Sequence, residues 1–345
     1  MDTLSSSKIC FFNGVSALNM RISLDEAAKR LKRGEVVAIP TETVYGLAAD
    51  ASNDQAIQLI FTTKQRPADH PLIVHIADIS QVNDWAESFP AVAVKLAKAF
   101  WPGALTLVLP AKSHVSRIVR GNEPTIALRV PNHPIALALL KLSGLSVAAP
   151  SANLFTQLSP TTAEHVEAGL GEAVPVLDGG ACAVGIESTI VSVNADGQWQ
   201  LLRPGVISEA DIMRVAGQAQ QASSLTSSDN VDLQTPKVPG QHALHYSPRT
   251  PLFLFKDKAS LMKECEALTQ ANLRCAALII GDGNAPTCAV IRLSSEPIEA
   301  AEHLYSCLHQ LDALNVDRLL VELPQNTPAW TAVLDRLSRA GFRGA

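Results

Sequence analysis

The sequence predicts an α/β protein made of two domains joined by a linker. Its 345 residues exceed the usual size of one domain, and 47% of them are hydrophobic, which is enough to form cores. Short apolar runs that end at proline or glycine alternate with segments of helical periodicity. We expect a first domain at residues 15–216, a linker at 217–250 and a second domain at 251–345.

The composition argues against several classes of protein. A formal net charge of −5 disfavours binding of nucleic acid through bulk electrostatics. The six cysteines are scattered without a Cys-x-x-Cys pair, which favours reduced thiols over disulfides or a zinc site. The first residues lack a secretion signal, and no apolar run approaches the roughly 18 residues of a membrane span. We therefore expect a cytoplasmic protein with no membrane partner.

The stretch Pro40-Thr-Glu-Thr-Val-Tyr-Gly-Leu-Ala-Ala-Asp50 organises the first domain. It follows the apolar run 36–39, which reads as a buried strand. Because Pro40 cannot donate to a sheet, Thr41 to Thr43 are expected to line a crevice at the end of this strand, where open α/β sheets bind ligands. A strand followed by a tight turn explains the segment equally well.

Cap residues predict where the helices begin. Ser23, Asn53 or Asp54, and Ser208 can each cap a helix, and Pro134 fits the first turn of another. Between these helices the apolar runs predict the further strands of the first domain at 72–76, 105–109, 125–130, 145–149, 185–193 and 198–202.

A basic segment follows the second helix. Lys64, Arg66, His70 and His75 bring several hydrogen-bond donors into twelve residues. A helix C-terminus repels anions, so a phosphate bound here would need these side chains explicitly. The alternative is a solvated helix end carrying favourable cations. His75 fits that alternative less well, because it lies in a predicted strand on the side opposite Val74.

Two further segments carry candidate ligands. Thr125 and Arg129 share one face of a strand and could reach one ligand, although Arg129 in a surface ion pair remains an equal alternative. Ser151, Asn153 and Ser159 offer neutral donors suited to phosphate or adenine. Ser159 also fits the N-terminus of a helix.

The linker and the second domain differ in composition. Residues 239–249 are too rich in aromatic and basic groups for a passive tether, so we expect them to pack on another part of the protein. Beyond them, strands at 252–255, 276–280, 289–293 and 318–323 and helices at 258–270, 298–313 and 328–340 predict a small doubly wound domain. Gly281-Asp-Gly283 lacks the third glycine of a dinucleotide fingerprint.

These motifs together resemble the L-threonylcarbamoyladenylate synthases, the YrdC-like family, in its longer two-domain form. The matching segments are PTETVYGLAADA, KQRPADHPLIVHI, WPGALTLVL, TIALRVPNHPIA, AAPSAN with SPT, GIESTIV, LLRPG and HYSPRTP. They follow one another in order between residues 24 and 251. The resemblance implies a twisted mixed sheet with helices around a basic cavity, a small Rossmann-like C-terminal domain, and a linker that folds over the cavity.

The resemblance also implies a reaction. L-threonine, bicarbonate and ATP, accompanied by Mg²⁺, would give L-threonylcarbamoyladenylate and pyrophosphate. A separate transferase complex would then use the product to modify a tRNA adenosine, so direct tRNA binding is not required. Carried over by motif, the residues for threonine or its carbamate are Thr43, His75, Arg129 and Ser188. Those for ATP are Lys64, Arg66, His70, Thr125, Ser151, Asn153, Ser159, Arg203 and Tyr246. No catalytic nucleophile or protein metal ligand is assigned.

Two other functions fit parts of the sequence. A carbamoyl-adenylate-forming enzyme of the hydrogenase-maturation type shares this domain, but such proteins carry zinc-finger modules, and this chain has no Cys-x-x-Cys pair. A non-catalytic RNA-binding module would explain a basic cavity. The negative net charge and a donor set of amino-acid size count against that alternative.

Overall fold

The computed structural model describes residues 21–218, 236–240 and 245–343. Within these ranges the chain forms an eight-stranded and a five-stranded sheet, each with its own helices. We call residues 21–218 the first unit and residues 251–343 the second unit. Two parts of the linker, 219–235 and 241–244, lie outside the described residues, and the predicted domain boundaries stay a prediction. No described helix is both long and apolar enough to cross a membrane.

The sheet of the first unit is mixed, as predicted. Its strands run β1-β2-β6-β3-β5-β4-β7-β8, with parallel pairs only at β3/β5 and β4/β7. Their bounds are β1 Val37–Ile39, β2 Gly46–Asp50, β3 Ile73–His75, β4 Leu105–Pro110, β5 Thr125–Arg129, β6 Val147–Ala148, β7 Thr189–Val193 and β8 Trp199–Arg203. The sequence missed β2, because the segment after Pro40 was interpreted as a turn alone, whereas it forms an antiparallel hairpin with β1.

Most predicted caps of the first unit are confirmed. The side chains of Ser23, Asn53 and Ser208 accept backbone hydrogen bonds at helix N-termini, and Pro134 lies in the first turn of its helix. Ser159 does not begin a helix, since Thr162 is the cap there. The helices are α1 Leu24–Lys32, α2 Asp54–Lys64, α3 Val82–Trp85, α4 Ala91–Phe100, α5 Pro134–Ser143, α6 Ala163–Leu170 and α7 Glu209–Ala216.

Strand alternation decides what reaches the site. Val74 of β3 and Leu128 of β5 point into the large apolar core of the first unit. The next residue of each strand therefore faces the other side of the sheet. In the parallel register His75 lies directly beside Arg129, so two residues 54 positions apart meet on one face.

The second unit is a parallel sheet of order β11-β10-β12-β9-β13. Its strands are β9 Leu252–Phe255, β10 Cys275–Ile280, β11 Ala289–Leu293, β12 Arg318–Glu322 and β13 Phe342–Arg343, and its helices are α8 Lys258–Gln270, α9 Pro297–Asp312 and α10 Thr331–Ala340. Helix α8 packs on one face, while α9 and α10 pack on the other. This confirms the predicted doubly wound α/β architecture, with β13 as an added edge strand.

The two units are packed together. Val44, Leu158 and Ile186 of the first unit belong to the apolar core that α9 and α10 help to form. The backbones come close at Gly185, where a Cβ atom would lie 2.0 Å from the backbone oxygen of Glu302 in α9. Gly185 also has φ +76°, so two constraints favour glycine there.

We expect Gly185→Ala to loosen the packing of α9 on the first unit. Gly180→Ala is the matched control, because Gly180 has φ +79° but nothing within 4 Å of its Cβ position. Both variants carry the backbone strain of a left-handed alanine, and only Gly185→Ala adds the clash. Overpacking costs about 1–3 kcal/mol, so denaturant unfolding should show Gly185→Ala less stable than the control by that amount. Equal stabilities would contradict the close packing of the two units.

Candidate active site

A narrow pocket lies where the β1–β2 turn, the segment after β6, the start of β7 and the linker meet. Eight of the thirteen predicted site residues line it. They are Thr43, Arg66, His75, Arg129, Ser151, Ser188, Arg203 and Tyr246. Strand ends and one linker segment thus bring into one place side chains drawn from about 200 residues of sequence.

The turn after Pro40 is built by its own hydroxyl groups. Thr41 Oγ1 donates to the carbonyl of Val44 at 2.6 Å and lies 2.8 Å from Thr43 Oγ1. Thr43 Oγ1 in turn accepts a hydrogen bond of 2.9 Å from Nη1 of Arg129. The two threonines are buried, so the turn presents a fixed hydroxyl to the pocket.

Arg129 is paired with an acid that the sequence analysis did not assign to the site. Its Nη2 lies 2.6 Å from Oε1 of Glu42, and its Nε donates to the carbonyl of Gly103 at 3.1 Å. The side chain is only 4% exposed, so the carboxylate supplies the partner that a buried guanidinium needs. The sequence left two alternatives for Arg129, a ligand-binding residue and a surface ion pair. The surface ion pair is wrong, because Arg129 and Glu42 form an ion pair that is buried at the pocket.

His75 lies beside Arg129 in the pocket wall. Burial, aided by the neighbouring charge of Arg129, lowers the pKa of the His75 imidazole to about 3. The ring is therefore neutral at physiological pH. It can donate from one nitrogen and accept at the other, which suits a polar substrate more than an anion.

Arg203 fixes the start of β7. Its Nε and Nη2 donate to the carbonyl of Ser188 at 3.1 and 2.9 Å, and Nη2 also reaches Ser188 Oγ at 3.2 Å. Nη1 donates to the carbonyl of Pro239 at 2.9 Å, so one guanidinium joins the first unit to the linker. Ser188 Oγ further contacts Thr106 Oγ1 at 2.8 Å.

Arg66 enters the pocket from the end of α2. It is 8% exposed, and burial lowers the pKa of its guanidinium to about 10, so it still carries a charge at neutral pH. Its Nη2 donates to the carbonyl of Pro71 at 3.1 Å, and the guanidinium lies 5.9 Å from the ring centre of Phe155. Arg66 forms no ion pair with any described residue, and neither does Arg203.

Five predicted ATP residues lie outside the pocket lining. Lys64 is buried and donates to the carbonyls of Ser151 and Asn153, which fixes the segment after β6. Burial lowers the pKa of its amine well below the usual value. Asn153 donates to the carbonyls of Leu154 and Gln157. Thr125 and His70 are partly exposed and lie outside the pocket lining, and the hydroxyl of Ser159 donates a hydrogen bond to Glu187. Direct contacts of these five residues with ATP stay predictions.

Tyr246 carries the linker into the pocket. It is 1% exposed with φ +61°, and the guanidinium of Arg336 lies 5.4 Å from its ring centre. The neighbouring His245 is buried, and this burial lowers the pKa of its imidazole to about 3. The described part of residues 239–249 packs on both units, as expected for a segment that is not a passive tether. The amide of Ser247 donates to the carbonyl of Thr156 in the first unit, and that of His245 donates to the carbonyl of Arg339 in the second.

Comparison with known proteins decides the family. A family model described as Telomere recombination matches residues 29–205, and one described as Threonylcarbamoyl-AMP synthase, C-terminal domain, matches residues 207–341. The Threonylcarbamoyl-AMP synthase of Bacillus subtilis is 40% identical, over 91% of this chain and 92% of its own length. The chain belongs to the threonylcarbamoyl-AMP synthase family. Enzymes of this family are of nucleotidyltransferase type.

Two further members show how the family varies in length. The crystal structure of Pyrococcus abyssi Sua5 complexed with L-threonine is 35% identical and covers 93% of this chain and 96% of its own, with a TM-score of 0.82. The Threonylcarbamoyl-AMP synthase of Vibrio vulnificus is 39% identical, but the alignment covers only 45% of this chain and 84% of its own length. The family therefore includes members that are much shorter than this chain.

Because His75 is neutral when buried, it should make the fold of this family member sensitive to acid. Unfolding lets the imidazole return to its ordinary pKa, so the unfolded state binds more protons below about pH 6.5 and stability falls as the pH drops. At pH 5 the loss is about 2 kcal/mol. We expect the stability difference between wild type and His75→Gln to shift by that amount, in favour of the variant, between pH 7 and pH 5.

Denaturant unfolding at the two pH values measures this difference. His303→Gln, at an exposed position of α9, controls for the loss of an imidazole. If the wild type and the His75→Gln variant lose stability in parallel between pH 7 and pH 5, then His75 takes up a proton as readily in the folded protein as in the unfolded chain, which contradicts the prediction.

Proposed function

We propose that the protein condenses L-threonine, bicarbonate and ATP into L-threonylcarbamoyl-AMP, with release of pyrophosphate. Membership of the family supports the activity. The observation that carries it is that two sets of side chains meet in one pocket. The first set consists of buried hydroxyl, imidazole and guanidinium groups and has the size of an amino acid. The second set consists of two arginines without carboxylate partners among the described residues.

The first set suits threonine and its carbamate. Thr43, His75, Arg129 and Ser188 are the residues we assign to it. Ser188 and Thr43 present hydroxyl groups held by Thr106 and by Arg129, so their orientations are set before a ligand arrives. Preorganised donors stabilise a reacting group more than mobile ones do. The carbamate is a weak nucleophile, so positioning should account for most of the catalysis.

The second set suits the phosphates of ATP. Arg66 and Arg203 are buried, charged and free of carboxylate partners among the described residues. A phosphate would supply the anionic partner that each guanidinium lacks. In the proposed reaction a carbamate oxygen attacks the α-phosphorus of ATP. The bond between that phosphorus and the bridging oxygen breaks, and pyrophosphate leaves with the electron pair. Ser151 and Tyr246 would bound the nucleotide, with the linker covering the pocket and excluding water.

We further propose that Mg²⁺ arrives bound to ATP. The two carboxylates at the pocket, Glu42 and Glu187, already form ion pairs with Arg129 and Arg336, so the described pocket residues leave no free pair of carboxylates as ligands for a metal. Mg²⁺ keeps several waters and binds substrate phosphates readily, where it would neutralise charge on the leaving group. The product would pass in the cytoplasm to a tRNA threonylcarbamoyl transferase complex.

The central test is the dependence of pyrophosphate release on both small substrates. Purified full-length protein with Mg²⁺ and ATP should release pyrophosphate only when L-threonine and bicarbonate are both present. Mass spectrometry should find threonylcarbamoyl-AMP in equal amount. Release at the same rate with serine, with glycine or with no amino acid would remove the substrate assignment.

Arg66→Met should weaken binding of ATP while the fold survives. Methionine keeps the length of the buried stem and removes the charge. A charge-assisted contact is worth about 1.5–3 kcal/mol, which corresponds to about tenfold to hundredfold in affinity. Calorimetric titration with ATP measures this, and Arg117→Met, at an exposed position, is the control. An unchanged affinity in Arg66→Met would take Arg66 out of the nucleotide site.

A further inference from the structure

One pocket residue has its partners in the second unit. Glu187, immediately before Ser188, lines the pocket with a buried carboxylate. Its Oε2 accepts hydrogen bonds from Nε of Arg336 at 2.8 Å and from the hydroxyl of Tyr305 at 3.0 Å. Oε1 accepts a hydrogen bond from Ser159 Oγ at 2.5 Å. Only Ser159 belongs to the first unit.

Of the two partners from the second unit, Arg336 makes contacts with more groups of the first unit than Tyr305 does. Its side chain is 0% exposed. Besides the carboxylate, its guanidinium donates to the carbonyl of Glu187 at 3.2 Å and to that of Pro204 at 2.8 Å. It thus holds the chain on both sides of the β7–β8 hairpin, directly behind Ser188 and Arg203.

We propose that Arg336 is a positioning residue of the proposed active site. By neutralising and orienting Glu187, it leaves Arg203 available for the phosphates of ATP. This inference rests on the proposed function, because it assigns Arg203 to the nucleotide. It gives the second unit a role in substrate binding that is separate from any contact with the substrates.

The charges around the pocket support this role. Burial alone would raise the pKa of the Glu187 carboxyl, but the charges of Arg336 and Arg203 and the hydrogen bond from Ser159 lower it to about 2. Glu187 is therefore an anion beside a site that must accept a polyanion. Without Arg336, Arg203 is the remaining guanidinium whose charge acts on Glu187, and any pairing between them would compete with phosphate.

The loss of Arg336 should also make ATP binding depend on pH. With its main cation gone, the buried Glu187 carboxyl should acquire a raised pKa and take up a proton in mildly acidic solution. Protonation ends its competition for Arg203, so ATP binding should recover as the pH falls. Among the described residues, the other titratable and charged groups that face Glu187 or Arg336 are Arg203, His245, Tyr246, Tyr305 and Asp335.

The test is a double-mutant cycle in the full-length protein, with Arg336→Met, Glu187→Gln and both changes together. We expect the Kd for Mg-ATP of Arg336→Met to rise about tenfold or more at pH 8, with a smaller rise at pH 6. In the double variant the neutral amide no longer competes, so the Kd should return to within about threefold of wild type at both pH values. In turnover, Arg336→Met should raise KM for ATP more than it lowers kcat.

A merely structural role for Arg336 gives a different pattern. The double variant would then bind ATP as weakly as Arg336→Met, and neither would depend on pH more than wild type does. Unchanged ATP binding in Arg336→Met would overturn the inference as well. Arg274→Met, which removes an exposed guanidinium 3.8 Å from Asp317 in the same unit, is the matched control.

Glu187→Gln alone keeps the inference testable if Arg336→Met fails to fold. Arg336 then keeps Asp335, 2.8 Å from its Nη1, as its carboxylate partner, and the pocket has lost one negative charge, so the Kd for ATP should equal or fall below that of wild type. A higher Kd would overturn the inference. The proposed function fails separately, if the wild type binds ATP but forms no threonylcarbamoyl-AMP. A wild type that binds no ATP would overturn both.

Discussion

The burial of cations is the constraint on which the site depends. Five basic side chains at or behind the pocket are at most 8% exposed: Lys64, Arg66, Arg129, Arg203 and Arg336. A buried charge without acceptors costs several kcal/mol, so each one needs carbonyl groups or a carboxylate nearby. Those acceptors come from turns and strand ends. The backbone of the pocket is therefore fixed by the same charges that make the pocket suitable for anions.

Local rules explain the part of the fold that the sequence could predict. Helix caps such as Asn53 act through neighbours two or three residues away, so they are visible in the sequence. Alternation along β3 and β5 likewise separates Val74 and Leu128 from His75 and Arg129. Strands β9 to β12 of the second unit were predicted nearly to their ends for the same reason, whereas the two-residue edge strand β13 was missed. The hairpin of β1 and β2 was missed, because the turn residues concealed a second strand of small side chains.

The rest of the site depends on contacts between distant parts of the chain. Glu187 meets Tyr305 and Arg336, which are 118 and 149 residues away, and no local pattern indicates either pair. Glu42 was visible between two threonines, but its pairing with Arg129 requires the sheet register. The sulfur atoms of Cys265, Cys275 and Cys288 lie within 4.8 Å of one another in the second unit. The spacing of these cysteines along the sequence did not indicate that they meet. Motif resemblance found eight of the residues that line the pocket, whereas it did not assign Glu42, Thr106 or Arg336, which hold some of them in place.

The shorter relatives sharpen the question of why this chain has a second unit. A relative with the same enzyme name aligns with only 45% of this chain, although the alignment covers 84% of its own length. In this protein, however, removing the second unit would leave the buried carboxylate of Glu187 with Ser159 alone among its present hydrogen-bond donors. The apolar side chains of Val44, Leu158 and Ile186 would lose their cover at the same time. The interface that docks the second unit on the first is thus also the one that neutralises Glu187. A site that contains this buried carboxylate therefore depends on the second unit.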